Sequence, residues 1–170
     1  MRLRHPNPED ASAITTLHLA TWRAAYSQLV PPGTFDRLDP APHLERWERR
    51  CRKQPEDTLL CEADEGIMGF ALLGEVRDDD LDPEYTVELY ALYVAADRWR
   101  QGIARRLVDA ARSEAKARGY KAMSLWTLKD NLRARNAYLA MGFDLDYEIE
   151  KDVKFLGLRL REVRYRCSIG

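Results

Sequence analysis

Cysteine is scarce in this sequence and shows no pattern. The 170 residues include three, Cys51, Cys61 and Cys167, which are an odd number, lie far apart and form no Cys-x-x-Cys pair. Such spacing argues against a disulfide framework and against a zinc site. We therefore expect three half-buried or inert thiols and no bound metal.

Long hydrophobic runs are also absent. No stretch approaches the ~20 consecutive apolar residues of a membrane helix, and the N-terminal MRLRHPNPED has no apolar run after its arginines. The sequence therefore predicts a cytoplasmic protein with no signal peptide and no membrane partner.

Neither sign of charge dominates. The 27 Lys and Arg residues are balanced by 28 Asp and Glu residues, giving a formal net charge of −1, so no basic field is available to hold nucleic acid. Hydrophobic residues (45%) and charged residues (32%) stand in the ratio typical of a soluble globular protein. We expect a single domain over residues 1–170 and a partner that is small or cationic.

Hydrophobic periodicity and turn residues predict a mixed α/β chain. The predicted strands cover residues 2–5, 58–63, 67–76, 85–95, 122–128, 145–153 and 158–167. The predicted helices cover residues 10–26, 43–53, 102–118 and 131–141. This order indicates one layer of strands with helices packed on the sheet faces.

One segment indicates phosphate binding. In VAADRWRQGIARRLV (94–108) a strand ends, a short loop follows and a helix begins. Amides of the first helical turn have no partner inside the helix, and the helix dipole adds partial positive charge, so a diphosphate fits there. Gly102 and the small Ala104 let the backbone approach phosphates, and Arg100 and Arg105 add charged donors. The alternative is a tight strand-to-helix connection with no ligand.

Two further segments stand in register with this loop: ELYALYV (88–94) and NLRARNAYLAMGF (131–143). Together the three pieces strongly resemble the GNAT superfamily of N-acetyltransferases, over about residues 85–145. The resemblance implies an α+β fold with a mixed, mostly antiparallel sheet of about seven strands and four flanking helices. It also implies that the two central strands splay apart and that acetyl-CoA is the co-substrate.

The resemblance further implies where CoA binds. Its pantetheine arm would pair with the backbone at Leu92, Tyr93 and Val94, and Asn131 would hydrogen-bond the cofactor. Its pyrophosphate would rest on the turn formed by Arg100, Gln101, Gly102, Ile103, Ala104 and Arg105. Trp99 departs from the family pattern, which has Gln or Arg at this position, so one side-chain contact to CoA is missing unless Arg100 replaces it.

Tyr138 follows Asn131 by seven residues, almost two helical turns, so both side chains lie near one face of the predicted helix. The resemblance implies that Tyr138 lies beside the thioester sulfur and is the general acid that protonates the leaving thiolate. The alternative is an aromatic core residue whose hydroxyl finds a hydrogen-bond partner.

A base is useful because a lysine-like amine, with a pKa of ~10.4, is almost fully protonated at pH 7. Glu88 is the candidate: it shares a strand face with Tyr90, and the resemblance places it where the histone-acetyltransferase branch carries its catalytic glutamate. The alternatives are a solvated or ion-paired Glu88, with a water chain as the base. Because no residue looks like a covalent nucleophile, we expect direct transfer in a ternary complex.

Aromatic residues are the candidates for binding the acceptor. Trp22 and Tyr26 lie with His18 at four-residue intervals on the first helix, and Tyr90 and Trp126 lie on strands; packing is the alternative for Trp22. The acidic run at 78–82 either attracts a cationic acceptor or is a solvated loop.

The expected activity is acetyl transfer to a primary amine of a small molecule or peptide. The alternatives are a catalytically silent CoA-sensing domain and a nucleotide-binding α/β regulator. A homodimer through the C-terminal edge strands is compatible with each of these functions.

Overall fold

A computed structural model of the chain contains seven β-strands and four α-helices, and it describes residues 1–170 apart from the side chain of Glu148. The strands are β1 (Arg2–Arg4), β2 (Thr58–Ala63), β3 (Gly66–Glu75), β4 (Thr86–Val94), β5 (Ala122–Leu128), β6 (Asp144–Phe155) and β7 (Leu158–Ser168). The helices are α1 (Ala11–Tyr26), α2 (Ala41–Lys53), α3 (Ile103–Ala117) and α4 (Leu132–Ala140). Each predicted helix and strand is present, with ends that differ from the predicted ones by at most two residues.

The strands are arranged in the order β1-β2-β3-β4-β5-β7-β6. The pairs β1–β2, β2–β3, β5–β7 and β6–β7 are antiparallel, whereas β4 and β5 run parallel. The predicted fold, a mixed and mostly antiparallel sheet with four helices, is therefore confirmed. The described register of the parallel pair runs from Thr86 opposite Ala122 to Leu89 opposite Leu125, and the splaying of the two strands stays a prediction.

Residue contacts group the chain into two compact units, which are described separately. The first comprises Met1–Leu72 and Ala91–Ala111, and the second comprises Leu73–Tyr90 and Arg112–Gly170. In the first unit the core is built from side chains that are completely buried, among them Ile14, Leu60, Phe70 and Leu107. Ile103 and Leu107, four residues apart on α3, lie on the buried face of this helix.

Alternation along the strands gives the second unit one apolar and one polar face. Val87, Leu125 and Tyr165, on three neighbouring strands, are at most 2% exposed and form the apolar side. The intervening positions, such as Glu88 and Arg164, point to the other side because successive side chains of a strand alternate. The polar face holds several of the predicted site residues.

Three further observations bear on the expectations for membranes, metals and thiols. No helix in the described part of the chain has the length and apolar character needed to span a bilayer. The described residues also contain no group of three or more His, Cys, Asp or Glu side chains placed to hold a metal ion. Cys51, Cys61 and Cys167 are free and buried, and burial raises the pKa of each thiol.

Candidate active site

The turn between β4 and α3, in the first unit, has an unusual backbone. Arg100 and Gly102 both have left-handed conformations, with φ of 62° and 80°. Arg106 donates the amide hydrogen bond that closes the first turn, to the carbonyl oxygen of Gly102 at 3.0 Å. The amides of Gly102, Ile103 and Ala104 therefore precede the hydrogen-bonded ladder of α3. Such amides at a helix N-terminus form an anion-binding surface.

The space beside Gly102 is open. A Cβ built on this glycine would meet no other heavy atom of the protein within 4 Å. Its positive φ, and not crowding by protein atoms, is what requires glycine here. The turn therefore has room for a ligand to approach its backbone.

The turn also carries charged and polar side chains. Arg100, Gln101 and Arg105 are exposed, and Gln101 donates from Nε2 to the carbonyl oxygen of Asp97 at 3.2 Å. Ile103 is 1% exposed, so it anchors the start of α3 in the core. The two arginines lie where they can add charge to an anion site.

The end of β4 carries the predicted pantetheine-binding residues. Leu92 and Tyr93 are half-buried and Val94 is buried. The indole Nε1 of Trp99 donates to the carbonyl oxygen of Val94 at 2.8 Å. Trp99, the residue that departs from the family pattern, thus donates a hydrogen bond to the backbone of β4.

An aromatic cluster surrounds Tyr93. Trp22 donates from Nε1 to the Tyr93 hydroxyl at 2.7 Å, and the Tyr26 hydroxyl lies 3.5 Å from the same oxygen. The centroid of the His18 ring lies 4.7 Å from those of both Trp22 and Tyr93. Trp22 and Tyr26, which are predicted to bind the acceptor, therefore both contact Tyr93, which is predicted to bind the cofactor.

His18 is a neutral member of this cluster. Trp47 donates from Nε1 to its Nδ1 at 3.3 Å, which requires an unprotonated nitrogen there. Burial, followed by the charges of His43 and Arg46, lowers the pKa of His18 to about 3. The imidazole therefore serves as a hydrogen-bond acceptor and not as a cation at neutral pH.

Glu88, on the polar face of the second unit, is 1% exposed and paired with Arg77. Its Oε2 accepts from the backbone N of Arg77 at 3.1 Å and from Nε at 3.2 Å, and its Oε1 accepts from Nη2. Hydrogen bonding to this carboxylate raises the pKa of the Arg77 guanidinium. The ion pair considered as an alternative is present, and the role of Glu88 as a base stays a prediction.

The two strand aromatics are fixed by polar neighbours. Tyr90 donates its hydroxyl to the carbonyl oxygen of Glu75, and the guanidinium carbon of Arg77 lies 4.3 Å from its ring centroid. Trp126 donates from Nε1 to Asp78 at 2.9 Å, and Lys151 Nζ lies 3.7 Å from its ring centroid. Their predicted contact with an acceptor is compatible with these positions but is not tested by them.

The acidic run at 78–82 lies in a loop in which Asp79, Asp80 and Asp82 are exposed, as the solvated-loop alternative expects, and the attraction of a cationic acceptor stays a prediction. Arg164, which is 2% exposed, donates to both carboxylate oxygens of Asp80 at 2.7 and 2.6 Å and to Asp146 at 2.8 Å. Asp78 lies 3.4 Å from the same guanidinium. The run is thus anchored by a buried arginine, because the guanidinium needs counter-charges when it leaves water.

Asn131 directly precedes α4, and Tyr138 lies in the last turn of this helix. Asn131 is 6% exposed and caps the helix, with its Oδ1 accepting from the amide of Ala134 at 3.2 Å. The ring centroid of Tyr138 lies 5.8 Å from that of Phe143 and 6.1 Å from that of Tyr165. Both residues therefore have structural contacts, and their roles toward CoA stay predictions.

Sequence reasoning did not single out Arg77, Lys151, Glu162 or Arg164 on the polar face. A signal was present, since Glu162, Arg164 and Arg166 alternate with buried Val163 and Tyr165 on β7. The same alternation is typical of a strand with one solvated face, so it does not indicate a site by itself.

Comparison with known proteins identifies the family. The sequence profile of the acetyltransferase (GNAT) family matches residues 20–143. The chain belongs to this family. The family predicted from the sequence, and with it the assignment as an N-acetyltransferase, is confirmed. YuaI of Bacillus subtilis (strain 168), named as an uncharacterised N-acetyltransferase, is 25% identical over 162 residues, which cover 95% of this chain and 89% of YuaI.

Solved structures of proteins described as acetyltransferases have the same fold. The PaiA N-acetyltransferase from Thermoplasma acidophilum, solved with coenzyme A, matches with a TM-score of 0.77 and 16% identity over 98% of each chain. YncA from Salmonella typhimurium, solved with acetyl-CoA, matches with a TM-score of 0.71 and 24% identity, covering 100% of this chain and 94% of YncA. At these identities the matches establish the fold.

Proposed function

We propose that this GNAT-family protein transfers the acetyl group of acetyl-CoA to a primary amine of a small molecule or peptide by direct attack in a ternary complex. The observation that carries the proposal is the turn at 100–105. Its left-handed residues, its helix N-terminal amides and the open space at Gly102 fit a diphosphate.

The residues of this chain fit CoA at several points. The amides of Gly102, Ile103 and Ala104 would bind the pyrophosphate, and exposed Arg100 and Arg105 would add charged donors. The backbone at 92–94 would pair with the pantetheine arm, and Asn131 would hydrogen-bond the cofactor. The presence of coenzyme A and acetyl-CoA in the PaiA and YncA structures supports this proposal.

The chain would assist the reaction at three points. The backbone N–H near Leu92 would stabilise negative charge on the thioester oxygen during attack. The Tyr138 hydroxyl would protonate the thiolate as it leaves. Because the acceptor amine must lose a proton, a carboxylate of the polar face, Glu88 in the prediction from sequence, or a water chain would take it.

A turnover assay on the purified chain tests the proposal. The protein is incubated with acetyl-CoA and a broad panel of primary amines, and released CoA is measured with a thiol reagent. Release that depends on the amine is expected. Calorimetric titration with CoA separates the alternatives: binding without turnover of any amine would favour a CoA-sensing domain, and absence of binding would contradict both.

A further inference from the structure

The polar face of the second unit places two oppositely charged side chains on neighbouring strands. Lys151 of β6 is the direct cross-strand partner of Glu162 on β7, and Glu162 is also opposite Leu128 of β5. Cross-strand partners point to the same side of a sheet. Trp126, opposite Arg164 on the same face, provides the ring over which Lys151 lies.

Most charges on this face are neutralised by protein groups. Glu88 is paired with Arg77, and Arg164 binds the carboxylates of Asp80 and Asp146. Each of these pairs is within hydrogen-bond distance. Such pairing is expected where charged groups are removed from bulk water.

Glu162 and Lys151 are different. Both are half-buried, yet the described residues provide no hydrogen bond or ion pair to the carboxylate of Glu162 or to the ammonium of Lys151. The ammonium lies instead against the Trp126 ring, at 3.7 Å from its centroid. A carboxylate and an ammonium are thus presented side by side on one face, and neither is neutralised by direct contact.

The pKa shifts of Glu162 and Lys151 agree with two charged groups that have no directly bound partner. Burial raises the pKa of Glu162 in spite of the opposing charges of Lys151 and Arg77, and Glu88 raises it further. Burial likewise lowers the pKa of Lys151, against the carboxylates of Asp78, Glu162 and Glu88. Both charged forms would gain from a ligand that brings the opposite charge.

From this pair we propose that Glu162 and Lys151 form a subsite for a zwitterionic acceptor, a free amino acid, with Glu162 binding the ammonium and Lys151 the carboxylate. An amine without a carboxylate would satisfy Glu162 but would leave the Lys151 ammonium without a directly bound counter-ion. Trp126 would supply an apolar surface beside both. This inference rests on the proposed function and narrows its acceptor to one class.

The experiment measures binding and turnover separately. Wild-type protein with saturating CoA is titrated with each of the twenty standard amino acids and with the corresponding amino-acid amides, which keep the amine but lack the carboxylate. Saturation-transfer NMR in the presence of CoA reports binding without chemistry. In separate reactions with acetyl-CoA and no added CoA, CoA release reports KM and kcat. At least one amino acid is expected to bind, and its amide to bind at least ~10-fold more weakly.

Two variants and two matched controls locate the subsite. Glu162→Gln and Lys151→Gln are each expected to weaken binding of that amino acid ~10- to 100-fold, the range for loss of a hydrogen bond to a charged group. Lys151→Gln is expected in addition to abolish the preference over the amide. Glu150→Gln and Lys154→Gln, changes of the same type at exposed positions of β6, are expected to leave binding unchanged.

The outcomes separate this inference from the proposed function. If no amino acid binds, if the amides bind equally well, or if both variants match wild type, the subsite assignment is overturned. Turnover of other amines in the same assay would still support N-acetyl transfer. Binding that requires Glu162 and Lys151 would support the subsite even if the acetyl donor proved to differ.

Discussion

The indole N–H of Trp99 is hydrogen-bonded to the carbonyl oxygen of Val94, with an N···O distance of 2.8 Å. Val94 is the last residue of β4, and Trp99 lies just before the left-handed Arg100. Trp99, directly before the proposed phosphate turn, is therefore hydrogen-bonded to the end of β4 that is proposed to pair with pantetheine. In the family pattern this position is Gln or Arg, which also carry N–H donors.

Trp99→Phe removes this hydrogen bond while keeping an aromatic side chain. We expect affinity for CoA to fall about 3- to 10-fold, corresponding to about 1 kcal/mol for one hydrogen bond, with kcat little changed. Trp99→Gln supplies a donor that can reach a carbonyl and is expected to recover most of the affinity. Calorimetric titration with CoA measures both, and a Phe variant that binds as tightly as wild type would refute the role.

Gly102→Ala tests the phosphate turn against a matched control. Gly102 and Gly157 have φ of 80° and 82°, and a Cβ at either would meet no other heavy atom within 4 Å. Alanine should therefore cost about 1 kcal/mol of stability at both positions, from backbone strain. Only Gly102→Ala should lower CoA affinity, by at least about 10-fold, because its Cβ enters the space proposed for the pyrophosphate. Equal CoA affinity in the two variants would contradict the proposal.

The phosphate turn and the polar face differ in how far they can be predicted from the sequence. The turn at 100–105 is predictable because a strand end, a glycine and a helix start are all local features, and Gly102 and Arg106 are close along the chain. Arg164 and Asp80 are 84 residues apart. Their ion pair depends on which strands become neighbours, and alternation along β7 does not contain that information. The ion pairs of the polar face therefore could not be predicted from the sequence and are seen only in the structure.

Tyr138→Phe tests the proposed general acid. Loss of the hydroxyl is expected to lower kcat about 100-fold or more, the low end of the range for general acid–base catalysis, with little change in CoA affinity. The ring contacts with Phe143 and Tyr165 are kept, so stability should change little. Tyr147→Phe, at a tyrosine that is 80% exposed, is the control and should leave kcat unchanged. A Tyr138→Phe variant with wild-type kcat would leave only the aromatic packing role.

Arg164→Met tests the anchor of the acidic run at 78–82. Removing the guanidinium leaves Asp78, Asp80 and Asp146 close together without their counter-charge. We expect a loss of about 2 to 4 kcal/mol in the free energy of unfolding, somewhat below the cost for a fully buried pair because the carboxylates are partly solvated. Arg161→Met, at a 57% exposed arginine on the same strand, should change it by less than about 1 kcal/mol. Urea denaturation compares them, and equal effects would show that burial of Arg164 is unimportant.

The lowered pKa of His18 predicts how stability depends on pH. In the unfolded chain His18 has a pKa of about 6.5 and is protonated below that pH. In the folded chain its pKa is about 3, so it stays neutral until the pH approaches that value. Stability is therefore fully present above about pH 6.5 and declines as the pH falls, by up to about 1.4 kcal/mol per pH unit from this group. His43, whose pKa is also lowered, acts in the same direction.

His18→Asn isolates the contribution of this residue, because asparagine keeps an acceptor for Trp47 Nε1 but has no group that titrates. Between pH 6.5 and 5.0 the free energy of unfolding of wild type should fall by about 1 to 2 kcal/mol more than that of the variant. Carboxylates with lowered pKa, such as Asp10, lose their stabilisation mainly below their unfolded pKa of about 4, so they contribute little in this window. His5→Asn, which removes an exposed imidazole, is the control. Parallel pH dependences for wild type and His18→Asn would mean that His18 is protonated in the folded protein, and the aromatic cluster around Tyr93 would then hold a cation.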